Sequence, residues 1–361
     1  MKNIIITIIL LLFTNSNFGQ NIYKYKQPKR LNDGWKTNTL KSQRIDTISI
    51  YKFFNQAINR DSKLHSILLI KDQELIIEEY FNDYNTEKQQ DLRSATKSII
   101  SILIGIAIDK GYIDDINDPI SKYLKEPKPQ KNLSKQKESI RIKDLLTMSS
   151  GLDCNDWDKK SKGQEDKVYK KKDWLQYTLD LPMVNKPGEV ANYCSMGVVL
   201  LAEIINQTSG MTIEQFANKH LFSPLEINHV NWGHTSEQEV ISSAKRLYLN
   251  PRDMAKIGLL VLNKGNWDNK QIVSKKWIED ATSPKTKISN INYGYLWWEI
   301  PFKINNKIIK SIVATGNGGQ YIMIFPEINL VTVFTGGAYN SEEDKLPFAI
   351  IENVFLPAYL Y

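Results

Sequence analysis

The chain passes from polar to almost wholly apolar sequence within one segment, DLRSATKSIISILIGIAIDKG, which runs from Asp91 to Gly111. Between Ser98 and Ile108 no side chain is charged, and apolar residues would occupy every side of a helix there. An isoleucine-rich run also fits a buried strand, but its length and the Lys110-Gly111 ending favour a helix. We therefore predict a helix that is buried at the centre of the molecule.

Strand-like sequence lies on both sides of this segment, towards the two ends of the chain. Before it, residues 66–70 and 74–81 are predicted to form a β-hairpin. After it, four more runs have strand-like patterns: 293–300, 308–315, 320–325 and 330–335. Helix and loop sequence lies between the two groups. The order predicts an α+β fold, in which an antiparallel sheet built from both chain ends (about 45–110 and 290–361) is flanked by helices and carries an inserted, mostly helical lobe (about 111–289).

The first residues have the pattern of an export signal. Lys2 precedes an uncharged, mostly apolar run at 4–13, and small or polar residues follow up to Gly19. The run is shorter than the roughly 20 residues that span a bilayer as a helix, so a permanent anchor is the less favoured alternative. We predict a signal peptide at 1–20, a mature domain at 21–361, a periplasmic or secreted location and no stable membrane anchor.

Composition excludes several classes of protein. With 42% hydrophobic and 24% charged residues, the chain of 361 residues resembles ordinary globular proteins. The net charge of +7 comes from lysines scattered through loop-like segments with acidic residues nearby, which is typical of solvated surface, so no nucleic-acid partner is predicted. The four histidines and two cysteines show no metal-ligand spacing, and we predict no metal and no cofactor.

The start of the central segment carries a candidate nucleophile. A serine hydroxyl needs a base within hydrogen-bond reach, and Ser94 and Lys97 have the spacing that shares one helix face. Ser94 also precedes a buried helix, whose N–H groups favour negative charge, and burial is expected to lower the pKa of Lys97. A helix cap beside a surface lysine is the simpler alternative for this pair alone. The same spacing arises by chance at Ser49/Lys52, Ser134/Lys137 and Ser242/Lys245.

Two later segments add polar groups on predicted turns. Tyr193 and Ser195 lie in ANYCSMG, directly before a predicted helix. Thr315, Gly316 and Asn317 lie where a predicted strand enters a glycine-rich turn, which lets a backbone approach a ligand closely. Read alone, the tyrosine is a packing aromatic and the second segment is a hairpin turn.

Together the three segments resemble a known family. Ser94-x-x-Lys97, Tyr193-x-Ser195 and Ala314-Thr315-Gly316, in that order, resemble the three motifs of the penicillin-recognising serine hydrolases. The resemblance is to the class C beta-lactamase-related branch, and within it to esterases and 6-aminohexanoate-dimer hydrolases. It implies a beta-lactamase/transpeptidase-like fold over most of the mature chain.

The resemblance also implies a role for each residue. Ser94 would be the acylated nucleophile, Lys97 and Tyr193 its base pair, and Ser195 would orient the substrate or Lys97. The backbone N–H groups of Ser94 and Asn317 would form an oxyanion hole beside Thr315 and Gly316.

One departure from the family pattern bears on the substrate. The third motif commonly begins with a lysine or histidine that holds a substrate carboxylate, whereas this chain has Ala314. The change argues against efficient beta-lactam or D-Ala-D-Ala cleavage and favours a neutral acyl group. Tyr295, Trp297 and Trp298 are candidates for an apolar acyl pocket, although alternating aromatic residues are as often core.

The sequence thus predicts an exported serine hydrolase that cleaves a small-molecule ester or simple amide. The alternatives are a D-amino-acid or cell-wall peptidase, a residual beta-lactamase, and a sensor module that is acylated without turnover. Export would permit a disulfide between Cys154 and Cys194, but Cys194 lies inside the second motif, so we expect two free thiols.

Overall fold

The structure, a computed structural model, describes residues 22–43, 45–234 and 245–359. The predicted signal peptide, residues 1–20, lies outside the described residues. Within these ranges no single helix is long and apolar enough to cross a membrane. One pair, Ser195–Ser209 with Ile213–Leu225, bent by 78°, meets that test only as a pair and only by length and composition.

One large sheet dominates the described chain. The described residues contain fourteen strands: β1 (Lys36–Thr37), β2 (Leu64–Lys71), β3 (Glu74–Tyr80), β4 (Gln90–Asp91), β5 (Asn231–His234), β6 (Lys245–Leu249), β7 (Asn266–Trp267), β8 (Lys270–Gln271), β9 (Thr286–Ile288), β10 (Ile291–Tyr293), β11 (Trp298–Ile304), β12 (Lys307–Gly316), β13 (Gln320–Phe325) and β14 (Leu330–Gly336). Nine form the main sheet, in the order β1-β3-β2-β14-β13-β12-β11-β10-β9, and only the β1–β3 pair is parallel. The sheet is built from both chain ends, which confirms the predicted α+β fold.

One predicted strand is wrong in extent. Instead of a continuous strand at 293–300, the chain leaves the sheet after Tyr293 and re-enters it at Trp298. A Cβ on Gly294 would lie 2.1 Å from the carbonyl oxygen of Ala281, so the backbone packs there at a distance that only glycine allows. Leu296 then adopts a left-handed conformation, φ 63°, which breaks the strand alternation.

The described helices lie mostly between the two groups of strands: α1 (Thr47–Ala57), α2 (Thr96–Asp109), α3 (Lys135–Glu138), α4 (Ile142–Leu146), α5 (Glu165–Val168), α6 (Trp174–Leu179), α7 (Ser195–Ser209), α8 (Ile213–Ala217), α9 (Pro251–Leu262), α10 (Lys275–Thr282), α11 (Leu346–Ile350) and α12 (Leu356–Tyr359). Helix α9 packs on β2, β13 and β14, while α2 packs between α7, α10 and β12. Every residue of α2 from Thr96 to Ala107 is buried, which confirms the predicted central helix. Its N-terminus therefore lies deep in the molecule, next to the end of β12.

Candidate active site

Ser94 lies on a tight turn directly before α2. The turn is a 3₁₀ helix, Arg93–Ala95, and Arg93 adopts φ 50°, a left-handed conformation that is rare for residues other than glycine. Asp91 holds this turn, because its Oδ1 accepts a hydrogen bond of 2.9 Å from the backbone N–H of Arg93. The ammonium of the buried Lys97, one helical turn on, donates a hydrogen bond of 2.8 Å to Ser94 Oγ. The structure thus brings the first predicted pair together in hydrogen-bonding contact.

Lys97 differs from the sequence expectation in its protonation. Burial alone would lower its pKa, as we expected, but the nearby Tyr193, Glu165 and Asp156 favour the ammonium and raise the pKa above its ordinary value. The expectation of a lowered pKa is therefore wrong in sign. The charges around Lys97 therefore favour its ammonium form.

Tyr193 completes a compact cluster with this pair. It is buried, lies two residues before α7, and its ring centroid is 5.0 Å from the Nζ atom of Lys97. The charge of Tyr193 and a side-chain hydrogen bond with it are among the causes that raise the pKa of Lys97, so the two groups are electrostatically coupled.

Ser195 makes contacts that the sequence did not predict. Its Oγ lies 2.7 Å from Asp156 Oδ2 and 3.2 Å from Glu165 Oε2, and its backbone N–H donates to Asp156 Oδ2 at 2.9 Å. The expectation that this hydroxyl orients the substrate or Lys97 stays a prediction, and the structure adds two carboxylates as its partners. We call Asp156 and Glu165 the acid pair.

The acid pair is the main feature of the site that sequence reasoning missed. Burial raises the pKa of Asp156 to about 6, and the charge of Glu165 adds to the effect, while Lys97 and the hydrogen bonds from Ser195 oppose it. Glu165 also accepts a hydrogen bond of 2.8 Å from the hydroxyl of Tyr169. Both carboxylates lie in a lysine-rich stretch with no helical or strand periodicity, and no local signal marked them.

The acid pair gives a testable pH dependence. Asp156→Asn removes a negative charge that raises the pKa of Lys97, so that pKa should fall and the acid limb of the kcat/KM profile for an ester should move to lower pH. Asp166→Asn is the matched control, because Asp166 also lines the cleft but is exposed. The acid limb of the kcat/KM profile should move less in Asp166→Asn than in Asp156→Asn. An acid limb that stays in place or moves to higher pH in Asp156→Asn would show that the acid pair does not control Lys97.

A disulfide ties the loop that carries Asp156 to the second motif. Cys154 and Cys194 are bonded, with a Cα–Cα distance of 5.4 Å, so the expectation of two free thiols is wrong. Cys194 stands between Tyr193 and Ser195, and Cys154 lies two residues before Asp156, whose N–H donates to the carbonyl of Tyr193 at 2.8 Å. The bond therefore ties the loop that carries Asp156 to the residues it contacts.

Aromatic rings form one wall of the cleft. Trp157, 57% exposed, stacks on Tyr193 with ring centroids 5.0 Å apart. On the same wall the ring centroid of Trp298 lies 6.0 Å from that of Tyr193. Trp297, in contrast, is 1% exposed and does not line the cleft, so its predicted role in substrate binding is wrong. Adjacent residues at a strand end face opposite ways, which puts Trp298 in the cleft and Trp297 in the core. Tyr295 is likewise buried, against Trp277.

The third motif lies along the same cleft as Ser94. The cleft has a volume of about 690 Å³, and Thr315, Gly316 and Asn317 line it together with Ser94. A Cβ on Gly316 would lie 2.2 Å from the carbonyl oxygen of Leu92, so glycine allows β12 to approach the nucleophile turn. The side chain of Asn317 exchanges two hydrogen bonds with Asn340, which fixes the turn after β12.

Comparisons with known proteins show the family of the chain and agree with its fold. The sequence profile of the beta-lactamase family matches residues 65–352. An uncharacterised protein of Alkalihalophilus pseudofirmus is 26% identical over 315 residues, covering 77% of this chain and 85% of that protein. The 6-aminohexanoate-dimer hydrolase of Paenarthrobacter ureafaciens is 21% identical over 292 residues, covering 74% of this chain and 71% of that enzyme. Among solved structures, EstCE1, a hydrolase with promiscuous acyltransferase activity, is similar with a TM-score of 0.69 at 14% identity over 85% of this chain and 97% of its own.

Proposed function

The chain belongs to the beta-lactamase family, and from that premise we propose that it is a serine hydrolase that cleaves an ester or a simple amide through an acyl intermediate on Ser94. One observation carries the proposal: Lys97 Nζ lies 2.8 Å from Ser94 Oγ, beside Tyr193 and inside a cleft wide enough for a small molecule. Two similar proteins, a 6-aminohexanoate-dimer hydrolase and a hydrolase with promiscuous acyltransferase activity, support hydrolysis through acyl transfer.

The proposed reaction runs in two steps on the same residues. Because the Lys97 ammonium already donates to Ser94, the Lys97–Tyr193 pair must first lose a proton as a unit before it can accept one from Ser94. Ser94 Oγ then attacks the carbonyl carbon, and the pair passes the proton to the leaving group as the ester or amide bond breaks. In the second step water attacks the acyl carbon and gives a proton to the Lys97–Tyr193 pair, which passes a proton to Ser94 Oγ as its bond to the acyl group breaks and the acid is released.

The negative charge that develops on the carbonyl oxygen has to be stabilised by hydrogen-bond donors close to Ser94. We assign this role to the backbone N–H groups of Ser94 and Asn317, which lie on the turn before α2 and on the turn after β12. Each such donor contributes roughly 3 kcal/mol to transition-state stabilisation in well-studied hydrolases. The rings of Trp157 and Trp298 would pack against an apolar part of the substrate.

We also propose that the protein is exported. The apolar run near the N-terminus supports export, and so does the Cys154–Cys194 disulfide, since such bonds persist in oxidising compartments. Expression of the full chain and of residues 21–361 in a Gram-negative host tests this. Only the full chain should reach the periplasm in shortened form, and recovery of both proteins in the cytoplasm would contradict export.

The function is tested by turnover together with the mass of the intermediate. Residues 21–361 should release 4-nitrophenol from 4-nitrophenyl butyrate and hydrolyse nitrocefin far more slowly, because Ala314 offers no cation to its carboxylate. Mass spectrometry of the quenched reaction should find a butyryl group on the peptide that contains Ser94. Ser94→Ala should lose both signals, whereas Ser49→Ala, at an exposed serine with the same spacing to a lysine, should keep them.

Other outcomes of this experiment separate the alternatives. Butyryl-Ser94 that accumulates without further product would indicate a sensor that is acylated without turnover. Nitrocefin hydrolysis faster than ester hydrolysis would indicate a beta-lactamase. Equal activity in the wild type and in Ser94→Ala would contradict the assignment of the nucleophile.

A further inference from the structure

Two arginines converge on one carboxylate beside the nucleophile. Asp91 Oδ2 lies 3.4 Å from Arg93 Nε and 3.2 Å from Arg246 Nη1. Arg93 directly precedes Ser94, and Arg246 lies on β6, which pairs with β4 at Asp91. Two guanidinium groups thus share a single carboxylate, and this arginine pair carries one positive charge in excess.

The arginine pair reaches the cleft next to the third motif. Both side chains line the cleft, and they are 32% (Arg93) and 21% (Arg246) exposed. The Arg93 guanidinium lies 4.8 Å from the ring centroid of Tyr339, and its Cβ lies 3.2 Å from the position that a Cβ on Gly316 would take. Arg93 therefore lies beside the end of β12, and both cations face the cleft that contains Ser94.

The arginine pair has unused hydrogen-bonding capacity. Arg93 Nε and Arg246 Nη1 are the atoms that face Asp91, whereas Arg246 Nε is buried without a hydrogen-bond partner among the described residues. Buried polar groups usually have partners, and leaving one unsatisfied is costly. One arginine would suffice to neutralise Asp91, so the second is not explained by that ion pair. Guanidinium groups bind carboxylates particularly well, because their donors form a planar fork.

We propose that Arg93 and Arg246 bind a carboxylate on the substrate, so that the preferred substrates are esters or amides that carry an anionic group away from the scissile bond. The inference rests on the proposed function and adds the substrate class. It also qualifies the expectation drawn from Ala314. The cation missing from the start of the third motif is supplied at another point of the cleft, so a carboxylate in the beta-lactam position is not favoured, while one that reaches the arginine pair is.

Matched substrate pairs test the preference. Mono(4-nitrophenyl) adipate differs from 4-nitrophenyl hexanoate by a carboxylate in place of a methyl group on the acyl side. On the leaving-group side, 4-butyryloxybenzoate is compared with its methyl ester. After correction for spontaneous hydrolysis, we expect kcat/KM to be about tenfold higher for the anionic member of at least one pair, mainly through a lower KM.

Variants of Arg246 connect that preference to the arginine pair. In Arg246→Gln the ratio of kcat/KM for the anionic substrate to kcat/KM for the neutral one should fall to about 1. Arg246→Lys should keep part of the preference. Arg60→Gln, at an exposed arginine outside the cleft, should leave the ratio at the wild-type value. No preference in either pair, or a preference that survives in Arg246→Gln, would overturn the inference while leaving Ser94-dependent ester hydrolysis intact.

A binding measurement keeps the inference testable if the proposed function fails. Should the wild type turn over none of these esters, calorimetry compares adipic acid monoanilide with hexananilide as ligands of the wild type and of Arg246→Gln. Affinity about tenfold higher for the anionic anilide, lost in Arg246→Gln, supports the arginine pair as a carboxylate site. Equal affinities for the two anilides overturn it.

Discussion

Replacing Lys97 by methionine is expected to lower kcat/KM for 4-nitrophenyl butyrate by about 10³-fold. Among the described residues Lys97 is the side chain that hydrogen-bonds Ser94 Oγ, and methionine retains its length but neither accepts nor delivers a proton. The loss should appear in kcat, because Lys97 acts on the reacting atoms rather than on the aromatic wall. Release of 4-nitrophenol measures it.

Tyr193→Phe distinguishes the contribution of the Tyr193 hydroxyl from that of its ring. Phenylalanine keeps the stacking on Trp157 at 5.0 Å, so the cleft wall should remain and KM should change little. The proton relay needs the hydroxyl, and we expect kcat to fall by about 10²-fold or more. Near-wild-type kcat in Tyr193→Phe would remove Tyr193 from the base pair, and retention of a tenth of the activity in a folded Lys97→Met would remove Lys97. Circular dichroism checks folding in both variants.

The parts of this site that could be predicted from sequence are those set by local pattern. The apolar run at 98–108 has to be buried whatever surrounds it, and it fixes the position of the Ser94 turn at its N-terminus. The three motifs are short and lie at element ends, so their residue types point to chemistry without knowledge of long-range packing. Their meeting in one cleft depends on the packing of α2 against both α7 and β12.

The parts that could not be predicted depend on contacts between distant segments. The pKa of Lys97 was expected to fall because burial was foreseeable, but the charges of Asp156 and Glu165 come from a loop whose sequence is that of solvated surface. Trp297 and Trp298 are equivalent in sequence, and only the break after Tyr293 determines which of them faces the cleft. For Cys154 and Cys194, sequence gives two thiols but not the distance between their backbones.

Loss of the Cys154–Cys194 disulfide is expected to lower the free energy of unfolding by about 4 kcal/mol. The two cysteines are 40 residues apart, and closing a loop of that length in the unfolded chain accounts for a loss of this size. Urea unfolding of the Cys154→Ser/Cys194→Ser variant, compared with the oxidised wild type, measures it. A difference below about 1 kcal/mol would show that the bond does little beyond the hydrogen bonds around it.

The same change should also reduce activity, because the disulfide ties the loop that carries Asp156 and Trp157 to the residue next to Tyr193. The hydrogen bond from Asp156 N–H to the Tyr193 carbonyl remains, so the loop should stay near its place but with more freedom. Small misplacements of catalytic groups are costly, and we expect kcat/KM to fall about tenfold. Dithiothreitol should produce the same loss in the wild type and none in the double variant, since that variant has no disulfide to reduce. An equal effect on both proteins would mean that the reductant acts elsewhere, and that the bond does not position the site.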